Sequence, residues 1–323
     1  MYKSAVIAVL WLACGSPAAS AQDTPAQEVI FSQPDKQLQA NGRLKIPQKT
    51  VYLPVAQVKW MIHGKFTARG GAFRSASSSK EVTSDVDEAR VRRIAQALYD
   101  DLAVQCAAAG WTVKTRSEMG ADVPAYKPAA ANEETGYPID QVTSGKLKIS
   151  YGVFAPDGMP TLMVSGMTSP AGMAGLQGFG AMAGMAAMTG ITQESYRFAR
   201  ANPGVTMIVD YGFATAALGE TDSRMLGTEA SATLVMTGGF LAYTANSQTV
   251  VKIEDGIAVA QGIGTLQQIS RTGTGTQVMR YLAGMSSVDK AGYMLAPDWD
   301  RVETEAIRAG KAFNAQIVAK LEH

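Results

Sequence analysis

Histidine is almost missing from this chain: His63 and His323 are the only two in 323 residues. That is thin material for a zinc centre or a Ser-His-Asp relay. Cysteine is equally scarce, with Cys14 and Cys106. Only Cys106 lies beyond the N-terminal apolar run, so internal disulfides are excluded there and packing alone must hold the fold. Charge of one sign is not in surplus either. The 29 Lys and Arg face 28 Asp and Glu, which argues against a nucleic-acid partner. H-E-x-x-H, G-x-S-x-G and P-loop spacings do not occur. Gly178, Gly180 and Gly184 superficially match a dinucleotide loop, but no acidic partner follows about 20 residues on. Asp100 with Asp101, and Glu133 with Glu134, read as solvated pairs rather than a glycosidase dyad. The expectation is a protein that is not an enzyme and uses no metal or cofactor.

What is there begins with an export signal. Lys3 supplies a positive start, Ala5 to Ala13 is an uncharged apolar run, and Gly15 and Pro17 break it. Ala19, Ser20 and Ala21 then give the small-x-small pattern of a cleavage site, so residues 1–21 read as a signal peptide. The run is far short of the about 20 residues of a spanning helix, which argues against a retained anchor. Cys14 is a candidate for lipidation. Trp11 stands where a lipobox carries Leu, which favours the plainer reading of Cys14 as a small apolar member of the run. The expected location is periplasmic, outer-membrane-associated or secreted.

Residues 22–50 are polar, with Pro25, Pro34 and Pro47, and read as an extended lead-in. Residues 51–323 read as one α/β envelope domain of α+β class: an α/β unit followed by antiparallel strands, a mixed sheet flanked by two long amphipathic helices. Val58 to Thr67 is rich in β-branched and aromatic residues and predicts a strand. The Ser-rich stretch from Gly70 to Thr83 predicts a loop. After it, Val91, Ile94, Leu98, Leu102, Cys106 and Ala109 make one helical stripe, with Ser84 as candidate cap and Gly110 as terminator. Trp111 to Thr115 predicts a strand, and Gly120 to Ser144 an irregular boundary. Lys146 to Phe154, Val205 to Ala216, Glu229 to Thr244, Thr249 to Glu254 and Ile257 to Ile269 predict further strands. Asp255 with Gly256 suits a tight hairpin, and Gly238 with Gly239 a bulge or close backbone approach. Val302, Ala306, Gly310, Phe313, Ile317 and Leu321 mark the closing helix.

The most unusual feature is a Gly/Ala/Met-rich insertion at about 158–193, which carries no charged residue. Gly180 and Gly184 have G-x-x-x-G spacing, and with Gly172 they form a candidate membrane or self-association face, because small residues let helix backbones approach. The plainer reading is a tightly packed Ala/Gly helix or an apolar loop; glycine costs up to about 1 kcal/mol per helical site. Met182, Met185 and Met188 could suit copper(I), but three-residue spacing of Met is also ordinary core filling.

Residues 85–119, an Asp-led helix running into Gly110-Trp111-Thr112-Val113, resemble the helix-to-strand step of the curli-secretion lipoprotein (CsgG-like) and TolB N-terminal group of envelope domains. Residues 202–216 are similar to the strand after the next helix there. The resemblance implies an α/β envelope domain with an assembly or scaffolding role, carries over no functional residue, and speaks to fold more than function. The expected function is a non-catalytic assembly, scaffolding or binding role, with other envelope proteins or further copies of the chain as partners. The alternative is a membrane-inserting or oligomerising protein acting through residues 171–191, and the third reading an exported hydrolase.

Overall fold

The structure, a computed structural model, describes residues 30–69, 77–144, 147–164, 179–220, 228–254, 256–271 and 288–322. These form one mixed sheet of twelve strands with helices on both faces, an α+β architecture. Its axis is β2 (Thr50–Arg69), a strand of 20 residues. Along its first half β2 runs parallel to β7 (Val205–Glu220) on one side and to β4 (Thr112–Thr115) on the other. Along its second half it is antiparallel to β3 (Ser77–Ser84) and to β6 (Leu147–Phe154). Beyond β7 lie β8 (Thr228–Tyr243), β9 (Gln248–Ile253) and β1 (Leu38–Gly42). Beyond β3 lie β12 (Val288–Pro297) and β11 (Gly264–Arg271). Strand β5 (Ile139–Ser144) continues outward from β6, and β10 (Ile257–Gln261) pairs with β8.

Pro54 is the fifth residue of β2, where a ladder position would lack its N–H. The sheet accommodates it with a register shift: Tyr52 faces Thr206 but Val55 faces Ile208, so β2 carries one residue more than β7. The extra residue reverses the side-chain alternation. Val51 and Leu53 point to the same core as Ala56, Val58 and Trp60, while Val55, Gln57, Lys59 and Met61 point to the opposite face.

On the first face lie α2 (Glu88–Ala108) and α5 (Trp299–Glu322). The apolar stripe expected of α2 is buried from Val91 to Cys106, while Ala109 is half-buried at the C-cap. Asp87, not Ser84, is its N-cap and accepts from the Arg90 N–H at 3.0 Å. Gly110 follows its end at φ +80°. The α5 stripe is likewise buried, and Trp299 stacks on Trp60 at 5.4 Å between rings. The two helices touch where Gly310 meets Leu98: a Cβ on Gly310 would fall 2.4 Å from Leu98 Cδ2. Next to that contact Asn314 donates to Leu98 O (3.0 Å) and Asp101 (2.9 Å) and accepts from the Tyr211 hydroxyl (2.6 Å). Arg90 and Arg93 of α2 pair with Glu303 of α5 and so join the two helices at their N-terminal ends.

The opposite face is covered by α4 (Phe179–Ala201), the segment 120–138 and an irregular strap, residues 155–164. Two short helices complete the elements, α1 (Pro34–Gln37) and α3 (Arg116–Met119).

Four expectations need correction. The Ser-rich stretch ends in a strand, β3, because β2 and β12 hydrogen-bond it from both sides. Asp255 lies outside the described residues, and the strands on either side of it do not pair as the expected hairpin: β9 and β10 each pair with β8, at different heights. Residues 34–42 of the lead-in form α1 and β1, with β1 laddered to β9. The insertion expected to end near residue 193 continues past it as helix: α4 begins at Phe179, takes in Gly180 and Gly184 and runs to Ala201. Among the described residues no helix is long and apolar enough to cross a membrane.

Replacing Gly310 by Val overfills the α2–α5 contact. The expected cost is about 1–3 kcal/mol, since a packed core accepts extra methyls only by strain. Urea unfolding measures it, and an unchanged midpoint would mean the helices do not approach this closely.

Candidate functional site

Lys59 lies in an apolar run of β2 and Asp210 in an apolar run of β7. Neither strand can turn its charged residue outward, because helices and strap cover both faces. The answer is mutual pairing. Lys59 Nζ is 2.8 Å from Asp140 Oδ2 on β5 and 2.8 Å from Asp210 Oδ2. The three side chains are 0%, 9% and 0% exposed. A third direction of the ammonium is used on the strap, where Lys59 donates to Val164 O at 2.7 Å. Beside it the Gln57 amide takes both backbone groups of Leu162, donating to its carbonyl (2.8 Å) and accepting from its N–H (2.7 Å). Gln57 Nε2 also lies 3.5 Å from Asp210 Oδ1. Glycines stand opposite this cluster, Gly212 across from Lys59 and Gly239 across from Asp210, so no side chain competes for the space. Gly238 is required for a related reason: at φ +114° its Cβ would lie 2.1 Å from Asp210 O.

The electrostatics follow from the burial. Desolvation works against the Lys59 ammonium, but the Asp140 and Asp210 carboxylates outweigh it and hold the amine above its ordinary range. Asp210 goes the other way for an acid: burial pushes it up to about 6, with Lys59 opposing. Tyr151, facing the cluster from β6, is raised by burial. The cluster binds strands and strap together and has no opening for a substrate among the described residues.

A groove of about 740 Å³ runs beside it between residues 125–130 and α4, with Met163 and Ile191 on its floor and Lys127 and Arg197 at its rim. Glu194 there is held below the usual carboxylate range by its bond to Arg197, and it also accepts from the Ala125 N–H at 2.7 Å. That makes it a poor base. Ser195 is buried and bonded to the Tyr126 hydroxyl at 2.8 Å, and burial raises that phenol. A serine partnered by a phenol is not an activated nucleophile.

The distal half of the sheet offers a third arrangement. Its order is β5-β6-β2-β3-β12-β11, and among the described residues β5 and β11 each have one partner only. Strand β11 is exposed through Gln267, Gln268, Ile269 and Ser270, and it has no Lys or Pro before Arg271 at its end. Ile269 is 59% exposed and neighbouring Met294 38%. Soluble proteins usually guard such edges with charge, proline, a bulge or a cover, and of these β11 shows a register shift that leaves Ile269 unpaired between Gln268 and Ser270. Farther along the same face Lys65 pairs with Glu81.

Of the residues singled out in the sequence, Gly180 and Gly184 lie in α4, while Gly172 and Cys14 fall outside the described residues. The structure does not bring Asp100, Asp101, Glu133 and Glu134 together as a pair of catalytic acids. Asp101 binds Asn314 and Gln105, and Asp100 accepts from Gln96. His63 stands on β2 opposite Thr83. The carboxylates that do converge, Asp140 and Asp210, went unnoticed in the sequence. The available signal was a lone charge inside a β-branched run, seen at Lys59 and Asp210. No group of His, Cys, Asp and Glu suited to a metal occurs among the described residues. No family model, curated protein or solved structure matches the chain.

Truncating Lys59 to Met strands two carboxylates in the interior. The expected loss is about 3–5 kcal/mol, the usual cost of removing one partner from a buried ion pair. Denaturant unfolding of purified Lys59→Met tests this; near-wild-type stability would mean water reaches the cluster.

Proposed function

We propose that this chain is an exported envelope protein with a non-catalytic assembly role, docking through strand addition at the distal half of its sheet. The observation that carries the reading is the β11 edge, unguarded by charge and bearing exposed Ile269. Strand addition draws affinity from main-chain hydrogen bonds and selectivity from alternate side chains. The partner in this reading is a second copy. The chain supplies a second edge of its own, β5, without a further partner among the described residues, at the other end of the same six strands. A β11-to-β5 contact is heterologous, so it builds a ring or a filament rather than a two-fold dimer. Export is supported by the signal-like residues 1–21. The non-catalytic character is supported by the site chemistry: the buried charges bind one another, and Glu194 and Ser195 are engaged in structure. The alternative of membrane insertion through residues 171–191 draws no support from the described part of that segment, which lies in α4.

Sedimentation velocity over a range of concentrations, on wild type and on Ile269→Lys, tests the proposal. Wild type is expected to form assemblies that the charged edge disperses to monomer with the thermal unfolding profile unchanged. A wild type that stays monomeric throughout would exclude self-assembly at this edge.

A further inference from the structure

The strap, residues 155–164, crosses the sheet without joining its ladder. Its fastenings at the far end are few. Leu162 is held by both ends of the Gln57 amide, Val164 by the Lys59 ammonium, and Thr161 O by the Ala129 N–H at 2.8 Å. Two of these three anchors are side chains that touch Asp210. The charge on Asp210 therefore acts on the groups that hold the strap.

The charge count in the cluster does not balance. The charged groups facing Asp210 are Lys59 from β2 and Asp140 from β5; Gln57 from β2 contributes an uncharged amide. Tyr151 from β6 faces the same cluster. On the strap side the contacts are the Leu162 and Val164 backbone groups. One ammonium between two ionised carboxylates leaves a net negative charge in a sealed interior, which is costly. One proton removes it.

We propose that the Lys59–Asp140–Asp210 cluster is a proton-binding site that latches the strap: with the proton bound the strap is fastened, and loss of the proton loosens it.

The direction follows from linkage. Asp210, pushed up to about 6 by burial, binds its proton more tightly in the closed state than in an open, hydrated one. Stability from such a group is complete below the ordinary carboxylate range and is lost as pH rises through about 6. The latch is thus tight in acid and weaker at neutral pH. Water drawn to the unbalanced charge enters where the covering backbone is irregular, at the strap, rather than through the sheet.

The test is hydrogen exchange with mass spectrometry on the full chain at pH 5 and 7.5, after correction for the intrinsic pH dependence of exchange. Peptides covering 155–164 are expected to open about tenfold more at pH 7.5 than at pH 5, from an acid of pKa about 6 when closed and about 4 when open. Peptides from α2 should not change. In Asp210→Asn, and equally in Asp140→Asn, one ammonium faces one carboxylate and the difference should vanish. A wild-type strap equally protected at both pH values overturns the proposal, as does a shift that persists in either variant. A shift shared by α2 overturns it too, because the proton would then govern global stability. If neither variant folds, the wild-type strap and α2 profiles alone still decide.

Discussion

Strand β2 has to satisfy two sets of neighbours along a length of about 65 Å, and Pro54 stands where one phase of its side chains gives way to the other. Without the added residue, the alternation that buries Val51 and Leu53 under the helices would send Ala56, Val58 and Trp60 to the strap side. It would also drive Gln57 and Lys59 into the helix core, where no carboxylate waits. A one-residue slip inverts every later side chain of a strand, so the bulge decides which face receives the charge. The remaining architecture follows. Helices α2 and α5 pack on the apolar phase, and the polar phase is closed by Asp140, Asp210 and the strap.

The elements that could be read from sequence are those whose stabilising contacts repeat locally. The stripes of α2 and α5 recur every three or four residues, and each shows one continuous buried face. Strand β3 was hidden because its composition, three serines in its first three residues, says loop, while the ladder that stabilises it comes from β12, over two hundred residues later. A turn signal such as Asp255-Gly256 marks where a chain can turn, not which strand the next segment will pair with; both flanking strands pair with β8. The charge cluster was hidden for the same reason. Its members come from three strands far apart in the chain, and only the tertiary fold makes a lone lysine and two lone aspartates into one group.

A buried ion cluster of this kind is weak as a source of stability. The desolvation of three charges is repaid only by good geometry, and apolar residues of equal volume do as well or better in several proteins. What the cluster adds is uniqueness. Among the described strands β5 is laddered to β6 alone, so its register against β6 is held by one ladder only. A slip by one residue would turn Asp140 outward and bring Ile139 or Gln141 against the Lys59 ammonium. The ion pair forbids that arrangement electrostatically, where an apolar contact would tolerate it.

This places two roles on one strand without conflict. The side chain of Asp140 is committed inward to Lys59, and the outer backbone edge of β5 has no partner among the described residues. In the proposed assembly, an added strand would use that backbone edge and the outward Gln141, leaving the ion pair untouched. The proton site then governs the strap and the assembly edge governs association, and the two couple only if the strap carries its motion into β5. The sheet between them works against such coupling. Among the described residues Asp140 reaches the strap through Lys59, whereas the backbone of β5 is held by a six-residue ladder to β6 that titration does not alter.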